Sequence, residues 1–360
     1  MNDSAPPALW RRLAGAVAEL FPGYFALVMA TGIVSLAAFL LGIEWAAHAL
    51  FWVNVGAYGV LCALVLARIA FFPARVFADL CDHGRGPGFF TLVAGTCVLG
   101  VQVLVIEAAP AVAHALWILG IALWFVVMYG FFTAVVVREQ KPTLEEGING
   151  AWLLAIVATQ GVAVLGSLLA PTLRSPEPAL FFALGMFLLG ASLYLTIITL
   201  IFYRFTFLPM TTARLTPPYW INMGAVAITT LAGSTLLLAH RASPLLELIR
   251  PFLTGFTLFF WATATWWIPL LVILGVWRHA LRRFPLRYDP QYWGMVFPLG
   301  MYTVATFRLG QAAGIDYIAF IPGYFVYVAL AAWTIVFAGM LASLLSALAP
   351  ALPRPASSGR

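Results

Sequence analysis

The sequence predicts an all-α integral membrane protein: ten transmembrane helices arranged as five parallel helical hairpins around a central pore. Three observations lead there. The 360-residue chain is 63% hydrophobic and only 9% charged, whereas soluble domains carry about 25% charged residues and must cover themselves with polar atoms. Its apolar residues fall into runs long enough to cross a hydrocarbon layer of about 30 Å, which takes about 20 helical residues. Its basic residues gather on one set of loops.

The runs are Tyr24 to Leu41, Phe51 to Ala70, Phe89 to Ile106, Ala113 to Val137, Gly150 to Leu169, Leu180 to Tyr203, Tyr219 to Leu238, Phe252 to Trp277, Tyr292 to Gln311 and Tyr317 to Leu348. They are apolar throughout instead of alternating with period two, so barrel strands are excluded.

Arg11, Arg12, Arg68, Arg75, Arg85, Arg138, Lys141, Arg204, Arg214, Arg278, Arg282, Arg283, Arg287, Arg354 and Arg360 all fall on one side of this topology. The other side holds Arg174, Arg241 and Arg250, and Arg308 lies within a run. The positive-inside rule then puts both termini in the cytoplasm. The expected organisation is a cytoplasmic segment 1–20 without a cleavable signal, one transmembrane domain 21–348, and a cytoplasmic tail 349–360. A net charge of +6 is explained by loops facing anionic lipid, the cluster Arg278 to Arg287 having the composition of a lipid-surface loop, and no nucleic-acid partner is expected. Cys62, Cys81 and Cys97 show no paired spacing.

An internal repeat organises the runs. Five begin alike: Pro22-Gly-Tyr-Phe25, Pro87-Gly-Phe-Phe90, Asn149-Gly-Ala-Trp152, Pro217-Pro-Tyr-Trp220 and Pro290-Gln-Tyr-Trp293. Proline is tolerated in a first helical turn, and aromatic residues suit the membrane interface. These are the odd runs only, so the unit is a hairpin repeated in parallel orientation. Such repeats are related by an axis along the membrane normal. The odd helices, richer in Gly, Ser and Thr, are the natural inner set, either packed closely or lining a lumen.

Seven residues past the leading position stand Met29, Ala94, Ile156, Gly224 and Phe297; ten past it stand Gly32, Cys97, Thr159, Ala227 and Gly300. A single large ring among smaller neighbours is how a hydrophobic constriction gates flow, and core packing is the other reading of Phe297. Pro298 follows it and removes a backbone hydrogen bond inside the helix. Gly32, Thr96, Thr159, Gly300 and Thr303 are candidate lining residues.

Arg308 is expected near the external end of the ninth run, either snorkelling, paired with Asp316, or setting a cationic outer mouth. Acidic residues are absent from the interiors of the spans, which argues against a cation pump or a buried-carboxylate proton relay. Glu139, Lys141, Glu145 and Glu146 read as a solvated loop. No phosphate-binding motif of the GxxxxGK[ST] type occurs, and Gly84 to Gly88 is a loop into a helix start. His48, His83, His114, His240 and His279 show no metal-ligand spacing, and His83 with Asp79 and Asp82 reads as a wet loop. No cofactor, metal or catalytic constellation is expected.

With Tyr24 to Leu36 reading YFALVMATGIVSL and Tyr292 to Thr306 reading YWGMVFPLGMYTVAT, the chain resembles the tellurite-resistance and dicarboxylate transporter family, which includes plant slow-type anion channels and fungal malate permeases. The resemblance covers residues 20 to 345. It implies a homotrimer in a cell membrane, here a bacterial inner membrane, with one pore per subunit and the odd helices inside. It also implies transport of small anions such as chloride, nitrate, sulfite, tellurite or malate, and a pore-blocking phenylalanine immediately before the FPLG-type proline, matching Phe297. Family members place prolines in more of the inner helices than this chain does, and plant channels carry long tails that are missing here. The readings to be separated are a Phe297-gated anion channel, a proton-linked C4-dicarboxylate, tellurite or sulfite carrier, and, from another class, a membrane enzyme or nonconducting scaffold.

Overall fold

The computed structural model describes residues 14–348, so the expected segment 1–20 is seen only from Ala14 and the tail 349–360 lies outside the described residues. The long helices are α1 (Ala26–Leu40), α2 (Glu44–Phe71), α3 (Phe90–Val105), α4 (Pro110–Val137), α5 (Leu154–Leu169), α6 (Pro176–Phe207), α7 (Ile221–Leu238), α8 (Arg250–Val276), α9 (Trp293–Ala313) and α10 (Phe320–Leu348).

The repeated entrances share one local structure. Each odd helix is preceded by a 3-10 turn: Pro22–Phe25, Gly86–Phe89, Gly150–Leu153, Pro217–Trp220 and Pro290–Tyr292. Proline sits in the first two positions of four of them, where a missing N–H costs nothing. In the third, Asn149 takes over: its side chain accepts from the Ala151 N–H at 2.8 Å, a standard cap. The five turns also touch one another in succession, the last against the first. Glycine allows this. A Cβ on Gly150 would stand 2.2 Å from the Pro218 carbonyl oxygen, and one on Gly88 2.7 Å from the Gly23 nitrogen.

Nine helices of the described residues are long and apolar enough to cross a membrane, and the protein is a multi-pass integral membrane protein. The tenth expected run is α9. It has 21 residues, or about 31 Å at 1.5 Å per residue, but Gly294, Pro298, Gly300, Thr303, Thr306, Arg308 and Gln311 dilute its apolar character below that of the other nine. Counting ten equally apolar spans therefore overstates this one. Its packing explains the tolerance: α9 lies between α7, α1 and α10, and little of it meets the surrounding solvent or lipid.

Burial separates two sets. In α1, α3, α5 and α7 at least 78% of the apolar window is buried; in α2, α4, α6, α8 and α10 the share is at most 44%. Each odd helix packs on the even helix that follows it in the chain, and each even helix also touches the next odd one. The contacts among odd helices run α1 to α3, α5, α7, α9 and back to α1.

Charged side chains brace the loops at the entrance end. Arg68, buried at the end of α2, donates to Asp79 at 2.7 Å and to the Ala18 carbonyl at 3.2 Å. Arg85 bonds the same carboxylate at 2.7 Å and 3.1 Å. Asp82 accepts from the Gly84 and Arg85 N–H groups, a turn within the loop that carries His83. Glu145 is ion-paired with Arg214, and its carbonyl accepts from Arg204 at 3.0 Å, which ties down a stretch expected to be a solvated loop. Arg278 also departs from expectation: it lies buried in a π-helical turn, Trp277–Leu281.

Burial pushes the Asp79 carboxyl up, but the hydrogen bonds and charges of Arg85 and Arg68 outweigh it and hold it below its ordinary value. A depressed carboxyl stabilises the fold above its unfolded pKa and loses that contribution as pH falls through the folded value. Asp79→Asn is therefore expected to lower stability at pH 7 by about 2–3 kcal/mol, since it strands buried arginine charge. The gap between variant and parent should close below about pH 4. Melting curves in detergent across pH test this; a gap that persists unchanged at pH 3 would rule it out.

Candidate functional site: two stacked cavities along the bundle

Two cavities, each walled by all five odd helices, lie one beyond the other along the bundle. The entrance-side cavity is lined by Met29, Thr91, Leu154, Ile221 and Phe297, together with entrance residues such as Gly23 and Gly88. The far-side cavity starts at Ile33, Cys97, Gly161, Ile228 and Met301, continues past Leu36, Val101, Val164, Leu231 and Val304, and reaches Arg308. Each measures about 30 Å³, space for one or two waters and no hydrated ion. From Phe297 to Met301, and from Met29 to Ile33, is one helical turn, a barrier of about 6 Å.

Phe297 is fully buried and forms part of the entrance-side cavity's wall. Behind it, Pro298 lies in a notch of α7: a Cβ on Gly224 would come within 2.7 Å of the Pro298 ring. The helix α9 continues through Pro298 to Ala313. Arg308 supplies the far-side cavity with a cation. Its guanidinium donates to Gln311 at 3.0 Å, and the expected pair with Asp316 is not among the ion pairs of the described residues.

The other candidate residues are placed elsewhere. Gly32 faces α2 and α3, where a Cβ would come within 2.5 Å of Val98 and 2.9 Å of Asn54. Gly300 packs against Ile33 and Val34 of α1. The Thr96 hydroxyl pairs with Tyr58 at 3.0 Å and donates to the Leu92 carbonyl. Thr159 accepts from Trp124 at 2.8 Å, and Thr303 donates to the Leu299 carbonyl at 2.9 Å. None of these five borders either cavity. Counting from the leading residue does place Met29 and Phe297 at one level and Cys97 at the next on the walls, whereas Gly32, Thr159 and Gly300, counted the same way, sit on faces turned to neighbouring helices.

A feature not read from the sequence links each even helix to the next odd one. Tyr58 of α2 meets Thr96 of α3 at 3.0 Å, Trp124 of α4 donates to Thr159 of α5 at 2.8 Å, and Tyr194 of α6 donates to the Asn222 carbonyl of α7 at 3.4 Å. Trp261 of α8 donates to Thr306 of α9 at 3.0 Å, and Trp333 of α10 to Thr31 of α1 at 2.9 Å. Buried Trp and Tyr need such partners. The visible signal was a Trp or Tyr inside each even run opposite a Thr in most odd ones.

Spanning helices closed around apolar cavities are the architecture of a membrane channel or transporter. The chain belongs to the family described as voltage-dependent anion channel, SLAC1, whose model matches residues 19–341. This bears out the family resemblance carried by the first and ninth helices and places the chain among channels and transporters, not catalysts. Over 149 residues the chain is 43% identical to an uncharacterized membrane protein of Mycobacterium tuberculosis (strain CDC 1551 / Oshkosh), covering 41% of this chain and 75% of that one. It is 25% identical over 316 residues to an uncharacterized transporter of Methanocaldococcus jannaschii, covering 84% and 88%. It is also 24% identical over 351 residues to the sulfite efflux pump of Arthroderma benhamiae, covering 90% of each chain.

Proposed function

We propose that the chain conducts small anions along the axis of the bundle, through ten spans acting as five parallel hairpins, and that Phe297, backed by Pro298, closes the path. The observation that carries this reading is the pair of cavities. Early residues of all five odd helices line one and late residues line the other, which supports a common direction for those helices and a shared axis. Their walls hold no carboxylate, and Arg308 is the charged group on the lining, so an anion meets no fixed negative charge. Arg308 then acts as the electrostatic lure at the far mouth, while Gly32, Thr96, Thr159, Gly300 and Thr303 stand behind the walls and hold the helices together. Chloride, nitrate, sulfite, tellurite and malate remain the candidate cargoes, and relatives that are sulfite efflux pumps support sulfite among them. The family resemblance supports a homotrimer with one path per subunit, and the basic loops support cytoplasmic termini.

The test is flux into liposomes containing the purified protein, measured for these five anions with and without a proton gradient. Anion movement well above that of potassium is the expected result; equal movement of potassium, or none of any anion with the Phe297 variant described below, would sink the proposal. Saturable malate or sulfite uptake that follows the proton gradient would instead favour a carrier.

A further inference from the structure

The fourth hairpin ends in the π-helical turn Trp277–Leu281, a rare conformation that gathers at functional sites. It carries Arg278 inward, leaving that residue 8% exposed. Its Nε has no hydrogen-bond partner, and its guanidinium lies 4.3 Å from the centre of the Phe284 ring. Among the described residues Arg278 forms no ion pair. The nearby Asp289 is occupied in capping the turn that leads into α9, accepting from the Gln291 N–H at 2.8 Å. Burying this Nε without a partner is costly. Its neighbours Arg282, Arg283 and Arg287 are exposed, as the arginines of a lipid-facing loop are expected to be.

Arg278 borders a cavity of about 100 Å³, the largest of the three within the bundle described here, set between the ends of α8 and the entrances of α7 and α9. Arg278, His279 and Tyr292 are its polar lining; Leu271 and Leu274 lie one to two turns back from Arg278 on the same face of α8, and Met295 lies in the first turn of α9. Gly275 opens onto it, and a Cβ there would meet nothing within 4 Å. The geometry points to a binding site for a phosphate-type oxyanion held by Arg278, with an acyl chain lying along Leu271 and Leu274 when the phosphate belongs to a lipid headgroup. Guanidinium suits this chemistry because its planar donors match phosphate oxygens. Occupancy would fix the fourth hairpin against the α9 entrance, which lies one and a half turns before Phe297.

The site is tested without any flux measurement, so its failure is separate from that of the transport reading. The full chain, stripped of lipid in uncharged detergent, is melted while titrated with phosphatidylglycerol, phosphatidylcholine or inorganic phosphate at constant ionic strength. Phosphatidylglycerol is expected to raise the melting temperature and phosphatidylcholine is not. Arg278→Gln should raise the concentration needed by about tenfold, Arg278→Lys by less, and Arg282→Gln not at all. A matching response to inorganic phosphate alone identifies the free anion as the source. Gly275→Leu, which fills the apolar part of the cavity and keeps the charge, should abolish the lipid response and spare that to phosphate; it also serves if Arg278→Gln does not fold. Equal responses in the parent, Arg278→Gln and Gly275→Leu, or no response of the parent to either phosphate source, would overturn the site.

Discussion

Liposomes carrying Phe297→Ala are expected to pass anions about tenfold faster than those carrying the parent chain. The phenyl ring lines the entrance-side cavity at the start of the one-turn barrier, and under the proposed function its removal is expected to join the two cavities. A tenfold change corresponds to about 1.4 kcal/mol of barrier, a modest fraction of what excluding an ion from an apolar constriction costs. Phe→Ala in a packed core also costs stability, typically about 3–5 kcal/mol, so monodispersity and melting must be checked beside flux. Phe297→Leu, which keeps most of the volume, should fall between the two. A well-folded Phe297→Ala protein with unchanged flux would leave Phe297 as packing.

Reversing the far-side charge is the second large effect. In the Phe297→Ala background, Arg308→Glu should cut anion flux at least about tenfold. Two unit charges about 5 Å apart at an effective dielectric of about 20 interact by about 3 kcal/mol, and partial exposure of Arg308 screens some of that. The loss should shrink as ionic strength rises, because steering by a mouth charge is screened over a Debye length. Flux that is indifferent to both the charge and the salt would assign Arg308 to snorkelling alone.

Much of the architecture was legible because lipid imposes it. Apolar runs of span length and the five entrances with Pro or Asn and aromatics correspond to real helices and to five 3-10 turns. The ninth run was legible by its motif and length more than by its hydropathy, since Pro298, Gly300 and Arg308 make α9 the least apolar of the ten. The walls of the cavities were harder to read. Thr96 and Thr159 have the polarity expected of lining, yet their hydroxyls bond Tyr58 and Trp124, because a hydroxyl in a helix interior serves equally well facing inward or outward. Which way each one faces depends on its angular position on the helix, and composition carries no trace of that. Arg278 was illegible for a related reason: in sequence it stands among surface arginines, and a single π-turn sets it apart.

The hydrogen bonds from even to odd helices have a mechanical consequence. Each bond joins one hairpin to the next, the last closing onto the first, so they act as a hoop around the staves of a cask. A hooped wall resists an iris-like opening, in which every stave would have to swivel and break its tie to the next. Side chains inside the hoop can turn about their own χ angles without breaking any of its bonds, which makes a turning ring the less costly moving part for the gate proposed above.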